Sequence, residues 1–248
     1  MKLSVITACR NSEKTIEDTV VSVINQDYSD TEYIIVDGAS TDKTPAIINQ
    51  YKNKISKIIS GKDGGIYYAL NKGLSLATGD VIGFLHSDDI YSHNSVLSLV
   101  ADAINRNNAD SVYADLQYVK RNNINKVIRY WRAGSYEDGL FLKGWMPPHP
   151  TFFVKKKCYE QYGNFNTVLK SAADYELMLR FLHKHKISTA YIPEVLVKMR
   201  QGGQSNVSLM NRLKANREDR MAWELNELKP SLFTTFVKPL RKISQFFQ

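Results

Sequence analysis

Short apolar runs and stripes of apolar residues at helical spacing take turns along the first half of the chain. Residues 3–8 (LSVITA) are apolar and rich in β-branched side chains, and Ile16, Val20, Val23 and Ile24 then return every three or four positions, which predicts a strand followed by a helix. The same alternation predicts strands over 32–37, 56–60, 80–85 and 111–114 and helices over about 43–52, 65–77 and 94–107. Strands and helices alternating at this interval imply an α/β fold with a mainly parallel central sheet flanked by helices. In such sheets ligands gather beyond the carboxyl ends of the strands, so the residues that end each strand are the ones to inspect.

After residue 115 the period changes. Residues 116–132 carry five Lys or Arg around the turn Asn122-Asn123-Ile124-Asn125, the pattern of a basic hairpin. The loop Trp145-Met146-Pro147-Pro148-His149-Pro150 precedes a strand over 151–154 and a helix over about 173–185 that bears Tyr175, Leu177, Met178, Leu179, Phe181 and Leu182. Gly202-Gly203 marks a loop before a polar helix over about 206–228. Residues 1–228 are thus expected as one domain: a nucleotide-type half (1–115), a substrate-shaping α+β half (116–205) and a helix (206–228), joined without a linker. The remaining residues, 229–248, are expected as a tail. From Asn206 onward there are eight basic and four acidic residues, and Leu232, Phe236, Leu240, Ile243 and Phe247 recur at helical spacing among Lys238, Arg241 and Lys242. That pattern fits a basic amphipathic segment lying on an anionic bilayer. Pro239 divides it, and packing on the chain's own domain or on a second copy is the alternative.

With 248 residues, 43% hydrophobic and 23% charged, the composition excludes a disordered tail, a collagen and a mini-protein. The formal net charge of +8 favours anionic partners: nucleotides, nucleic acids or a membrane surface. Cys9 and Cys158 are the only cysteines and lie 149 positions apart, which writes neither a disulfide framework nor a zinc knuckle and favours a reduced, cytoplasmic setting. The apolar run behind Lys2 ends at Arg10 after seven residues, so it is expected as a first strand rather than an export signal. No apolar run approaches the length of a spanning helix, which leaves peripheral contact with the inner face of the cytoplasmic membrane.

The strand ends carry the chemistry. The first ends in Thr7-Ala8-Cys9-Arg10-Asn11 without glycine, which excludes a dinucleotide fingerprint and a P-loop there. The second ends in Asp37-Gly38-Ala39-Ser40-Thr41-Asp42, where a carboxylate can hold a ribose or base edge, or can simply form a turn and helix cap. The fourth ends in His86-Ser87-Asp88-Asp89. Adjacent carboxylates repel unless a cation joins them, so the pair suggests Mg²⁺ or Mn²⁺ carrying diphosphate oxygens, with a solvated turn as the alternative.

Several motifs in this order resemble the family 2 inverting glycosyltransferases of surface polysaccharide biosynthesis, whose nucleotide-binding fold is called GT-A. They are Thr7 to Asn11, Asp37 to Asp42, Asp63-Gly64-Gly65-Ile66-Tyr67 leading into Asn71-Lys72-Gly73, Ala77-Thr78-Gly79-Asp80, Ser87-Asp88-Asp89 in the place of the D-x-D motif, and Ala173-Asp174-Tyr175-Glu176-Leu177 with Arg180. The resemblance covers about residues 2–205. It implies a nucleotide-sugar donor, most simply a UDP-sugar, and a saccharide or lipid-linked saccharide acceptor. The charge and the basic hairpin with Tyr118, Tyr130 and Trp131 would also suit a nucleic acid, but the acidic strand tips would repel its phosphates, so no nucleic acid partner is expected. The resemblance implies a donor pocket of Thr7, Ala8, Arg10, Asn11, Asp37, Gly38, Ser40, Asp63, Asn71, Lys72, Gly73, Ser87 and Asp88, a metal on Asp88 assisted by Asp89, and Asp174 as catalytic base with Glu176 as its rival. His149 is implied as an acceptor or phosphate contact, and Arg200 as part of a late loop closing over the diphosphate. The Q-x-x-R-W signature of processive relatives is absent, implying single additions. The chain departs from the pattern at His86, where relatives have an aspartate, at Arg10, where an aromatic residue is common, and at Leu70, where many have an arginine. These departures leave a catalytically silent nucleotide- or membrane-binding member as the alternative.

Overall fold

The computed structural model describes residues 1–202 and 209–230, without the side chains of 209–216. Its elements are β1 (Leu3–Cys9), α1 (Ile16–Ile24), β2 (Thr31–Asp37), α2 (Thr44–Gln50), β3 (Lys57–Ser60), α3 (Ile66–Leu76), β4 (Val81–Phe84), β5 (Asp89–Tyr91) and α4 (Val96–Asn107). The second half supplies β6 (Ser111–Lys120), β7 (Asn123–Trp131), β8 (Phe153–Lys155), α5 (Lys156–Tyr162), α6 (Ala173–Met178), β9 (Thr189–Arg200) and α7 (Leu209–Leu225). Among the described residues no helix is long and apolar enough to cross a membrane.

Nine strands form one sheet in the order β3-β2-β1-β4-β8-β6-β9-β5, with β7 on the outer part of β6. Strands β1 to β4 pair in parallel. Strand β8 then joins β4 to β6, antiparallel to both, β6 runs parallel to β9, and β5 and β7 pair antiparallel with β9 and β6. Successive side chains of a strand face opposite sides, and β1 shows it: Leu3 and Val5 enter one core with α1 and α4, while Ile6 and Ala8 enter the other with α3 and α6. Both cores draw on both halves of the chain. The helix faces follow their sequence stripes, with Ile16, Val20 and Val23 buried on α1 and Val96, Val100 and Ile104 on α4.

The stretch expected as a helix over 173–185 is α-helical only to Met178 and continues as a π-helical turn over Leu179–Lys184. The wider turn, closed by His185 N–H on the Arg180 carbonyl at 2.9 Å, buries Phe181 and Leu182 while the Arg180 guanidinium reaches the carbonyls of Tyr162, Gly163 and Asn164.

Candidate active site

The carboxyl ends of β1, β2 and β4 meet at one edge of the sheet. At the β2 tip Asp37 is 2% exposed, and its oxygens accept hydrogen bonds from Ser40 N–H at 3.2 Å, Ser40 Oγ and Ser60 Oγ at 2.7 Å. The Cys9 thiol lies 3.8 Å away, and burial followed by Asp37 pushes that thiol well above its ordinary pKa. Asn11 locks the two loops together: its N–H donates to Ser40 Oγ at 2.8 Å and its Oδ1 accepts Thr41 N–H at 2.9 Å. Asn11 does so with φ 51°, a left-handed conformation its side chain tolerates. Arg10 is exposed above this lock. Gly38 is where chains cross, since a β-carbon there would sit 2.9 Å from Asp63 Oδ2 and 3.5 Å from the Arg10 side chain. Asp63 itself accepts Gly65 N–H at 3.0 Å, and Lys72 is exposed with Nζ beside Gly61.

Three expected donor-pocket residues serve other ends. Thr7 is fully buried and accepts a hydrogen bond from Tyr33 Oη at 3.2 Å, so it belongs to the core on the α1 side. Asn71 gives both amide groups to the Phe165 backbone, at 2.9 and 3.0 Å, tying α3 to the segment before α6. Gly73 is a packing glycine: a β-carbon would lie 2.4 Å from Ile6 Cγ2, so only glycine lets α3 press against β1. Leu70, one of the departures, is buried in that same core.

The β4 tip corrects the paired-carboxylate expectation. Asp89 opens β5 and is 0% exposed, whereas Asp88 is half-buried. Burial, then Asp88, push the Asp89 carboxyl well above the usual carboxylate range, and both its oxygens are sealed from solvent, so it faces inward while Asp88 alone is left toward the open side. Arg200, expected over the diphosphate, is 3% exposed. It donates to the Asp88 carbonyl at 2.9 Å and pairs with Asp18, holding the Asp88 loop from beneath. Ser87 Oγ lies 2.9 Å from Ser12 Oγ. Residues 203–205 of the expected closing loop lie outside the described residues, as do the tail positions from 231 onward.

Across from this loop, Asp174 begins α6 with its side chain 23% exposed. Tyr67 Oη of α3 donates to its Oδ1 at 3.3 Å and His149 Nδ1 lies 3.2 Å from its Oδ2. The His149 ring in turn stands 5.4 Å from the ring of His86. Burial, then His149, push the His86 pKa down to about 4, so His86 is neutral near pH 7, and its Nδ1 is sealed from solvent without a partner among the described residues. Glu176, the rival base, is 3% exposed and held by Arg180 at 2.9 and 3.0 Å and Asn226 at 2.9 Å, which removes it from that role. Tyr67 was quoted in the sequence only as part of a motif, and nothing local announced its contact with a residue 107 positions away.

Helix α7 braces the start of α6. One carboxylate oxygen of Glu218 accepts the N–H groups of Lys170, Ser171 and Ala172 and the Ser171 hydroxyl, at 2.7–3.1 Å. Trp223 Nε1 donates to Tyr175 Oη at 3.0 Å.

The profile of "Glycosyl transferase family 2" matches residues 4–171. The "PGL/p-HBAD biosynthesis glycosyltransferase" of Mycobacterium bovis (strain BCG / Pasteur 1173P2) is 28% identical over 209 residues, covering 82% of this chain and 78% of the relative. S. aureus TarS 1-349 in complex with UDP-GlcNAc superposes with a TM-score of 0.69 at 20% identity, over 91% of this chain and 65% of that one. The mannosyltransferase PcManGT from Pyrobaculum calidifontis, in complex with GDP-Man and Mn2+, gives 0.68 at 19% identity, over 95% and 68%. At these identities the two structures share the fold.

Proposed function

Because the chain belongs to glycosyl transferase family 2, we propose that it moves a sugar from a nucleotide diphosphate, a UDP-sugar first among the choices, to a saccharide or lipid-linked saccharide acceptor in cell-surface polysaccharide assembly, with inversion at the anomeric carbon. The observation that carries this reading is the placement of Asp174, partly open to solvent and held by Tyr67 and His149, across from the Asp88 loop. An inverting transfer needs a base facing the acceptor hydroxyl and a leaving group departing in line. Asp174 takes the hydroxyl proton at a carboxylate oxygen, while Tyr67 and His149 keep the other lone pairs occupied and the carboxylate aimed. The loops tied by Asn11 and Asp37 seat the nucleoside. The UDP-GlcNAc and GDP-Man of the two structural neighbours support the donor class.

A divalent ion fits on limited terms. Among the described residues no three His, Cys, Asp or Glu groups gather as a cage, and Asp88 is the one carboxylate of the β4 tip turned outward. One carboxylate suits a hard cation, Mn²⁺ or Mg²⁺, that completes its shell with water and donor phosphate oxygens. Bound there, the ion supplies positive charge to the departing diphosphate.

Release of UDP from a panel of UDP-sugars with Mn²⁺ tests the reading. Asp88→Ala and Asp174→Asn are each expected to lower turnover by at least 1,000-fold, roughly the scale of losing a base or a transition-state charge partner. Full turnover in either variant removes that residue's role. For the tail, we expect the full chain to float with phosphatidylglycerol vesicles and a chain cut after residue 228 to stay behind. Equal behaviour of the two ends the peripheral-membrane reading.

A further inference from the structure

The basic hairpin carries chemistry that the donor loops and the base leave unused. Its height above the sheet is set by β8: Val154 pairs with Ile82 of β4 on one side and with Ser111 of β6 on the other. Ile82 and Ser111 are therefore level, and β4 and β6 run the same way. But β4 ends at Phe84, whereas β6 continues to Lys120. Past the level of His86, the segment Leu116–Lys120 overhangs the catalytic edge by roughly 16 Å at about 3.3 Å per residue.

The overhang is a built feature. Asp115 fixes its root by accepting hydrogen bonds from Tyr191 Oη at 2.7 Å, Tyr130 Oη at 3.0 Å and Ala133 N–H at 2.8 Å. Higher up, the rings of Tyr118 and Trp131 lie parallel within 6°, and the Arg129 guanidinium stacks 4.4 Å from the centre of the first and 5.6 Å from the second. At the tip, Lys120, Arg121, Asn122, Asn123 and Gln201 line a cleft of about 280 Å³. Every one of these side chains carries N–H donors, two are cationic and none is a carboxylate. Lys120 and Arg121 form no salt bridge among the described residues. Charged and amide donors facing one cleft match phosphate oxygens. The cleft is also coupled to the reaction edge: Gln201 N–H donates to the Val119 carbonyl at 2.9 Å, and its neighbour Arg200 holds the Asp88 loop.

We infer that this cleft is a phosphate subsite for the acceptor, seating the phosphate or diphosphate of a phosphate-bearing oligosaccharide long enough to span the overhang and reach Asp174 with its sugar end. The inference rests on the glycosyltransferase reading. Charge complementarity selects the anion, and the sheet order selects the acceptor over the donor, because β6 lies beyond β4 from the β1 and β2 ends that form the donor loops.

The test uses the full chain with UDP and Mn²⁺ in excess, so that the donor site is filled. Binding of farnesyl diphospho-N-acetylglucosamine is compared with binding of the uncharged octyl N-acetylglucosaminide and with phosphatidylglycerol vesicles. The phosphorylated saccharide is expected to bind at least tenfold more tightly than the neutral one, with a preference that shrinks as salt is raised. The double variant Lys120→Ala, Arg121→Ala, and separately Arg121→Glu, are expected to abolish that preference with an unchanged thermal midpoint. Equal binding of the two saccharides, no binding of the phosphorylated one, unchanged binding in the variants, or an effect of the variants on vesicles alone overturns the inference. If the wild type releases UDP from no donor yet keeps a phosphate preference that the variants lose, the transferase reading fails and the phosphate cleft stands.

Discussion

Asp174 is useful as a base only while its carboxylate points at the acceptor, and side chains from two distant segments do the pointing. His149 lies 3.2 Å from Oδ2 and the Tyr67 hydroxyl 3.3 Å from Oδ1, and His149 is the simpler of the two to test. Replacing it with alanine is expected to lower kcat roughly 100-fold, the scale of a misplaced reacting group, while leaving the donor KM unchanged. His149→Gln, which keeps a donor toward the carboxylate, should recover part of the loss. Steady-state UDP release reads both, and an unchanged kcat in His149→Ala would show that Asp174 needs no such support. Strand-tip and helix-start positions made Asp37, Asp88 and Asp174 legible as candidates. Asp89, Asn71 and Gly73 misled because a motif records that a residue type recurs, not what it touches. Asp88 ends the turn after β4 and Asp89 opens β5, so the pair straddles a turn-to-strand junction that leaves Asp88 half-buried and Asp89 fully buried, which spacing alone does not show.

Elements are held by contacts at the end of the sheet away from the reaction. Glu32 of β2, 3% exposed, accepts Ser4 Oγ at 2.6 Å, Thr78 N–H at 2.7 Å and Thr78 Oγ1 at 2.9 Å, and pairs with Lys57 at 3.2 Å. Gly79 N–H completes the knot on Ser4 Oγ at 2.9 Å, and Asp80 accepts Lys2 N–H at 2.8 Å. The Ala77-Thr78-Gly79-Asp80 motif is therefore a structural clasp. Burial pushes the Glu32 carboxyl up, but the hydrogen bonds from Ser4, Thr78 and Lys57 outweigh it and bring the pKa down to about 2. A folded pKa below the unfolded one gives stability that is complete above pH 4.5 and drains away as pH falls toward 2. Glu32→Gln is expected to cost about 2 kcal/mol near pH 7, the scale of hydrogen bonds to a charged group, and to show a shallower loss of stability between pH 4.5 and 2 in thermal unfolding. Parallel acid limbs in the two proteins would refute the assignment. Elements with an unbroken stripe, such as α4, were readable in advance. Strand β9 was not, because Pro193-Glu194 interrupts its alternation and a register shift in β6 between Ala114 and Asp115 accommodates the irregularity.

Taken whole, the molecule is a sheet whose parallel part presents the donor loops and whose mixed part carries the hairpin and β9. The α/β class and the parallel part followed from the alternation of the first 115 residues. The antiparallel insertion of β8 did not, because a three-residue strand carries too little pattern to show its direction. The brace from α7 was equally hidden, since Glu218 and Asn226 read as ordinary polar positions on a helix and reveal their work only beside Ala172 and Glu176. Residue 115, where the sequence changes rhythm, falls inside β6, in the middle of a strand that borders β7, β8 and β9 and feeds both cores. A hybrid spliced there from two relatives would have to rebuild two interiors at once. The hairpin tip over 120–126 belongs to neither interior, so substitutions there are expected to leave both cores as they are.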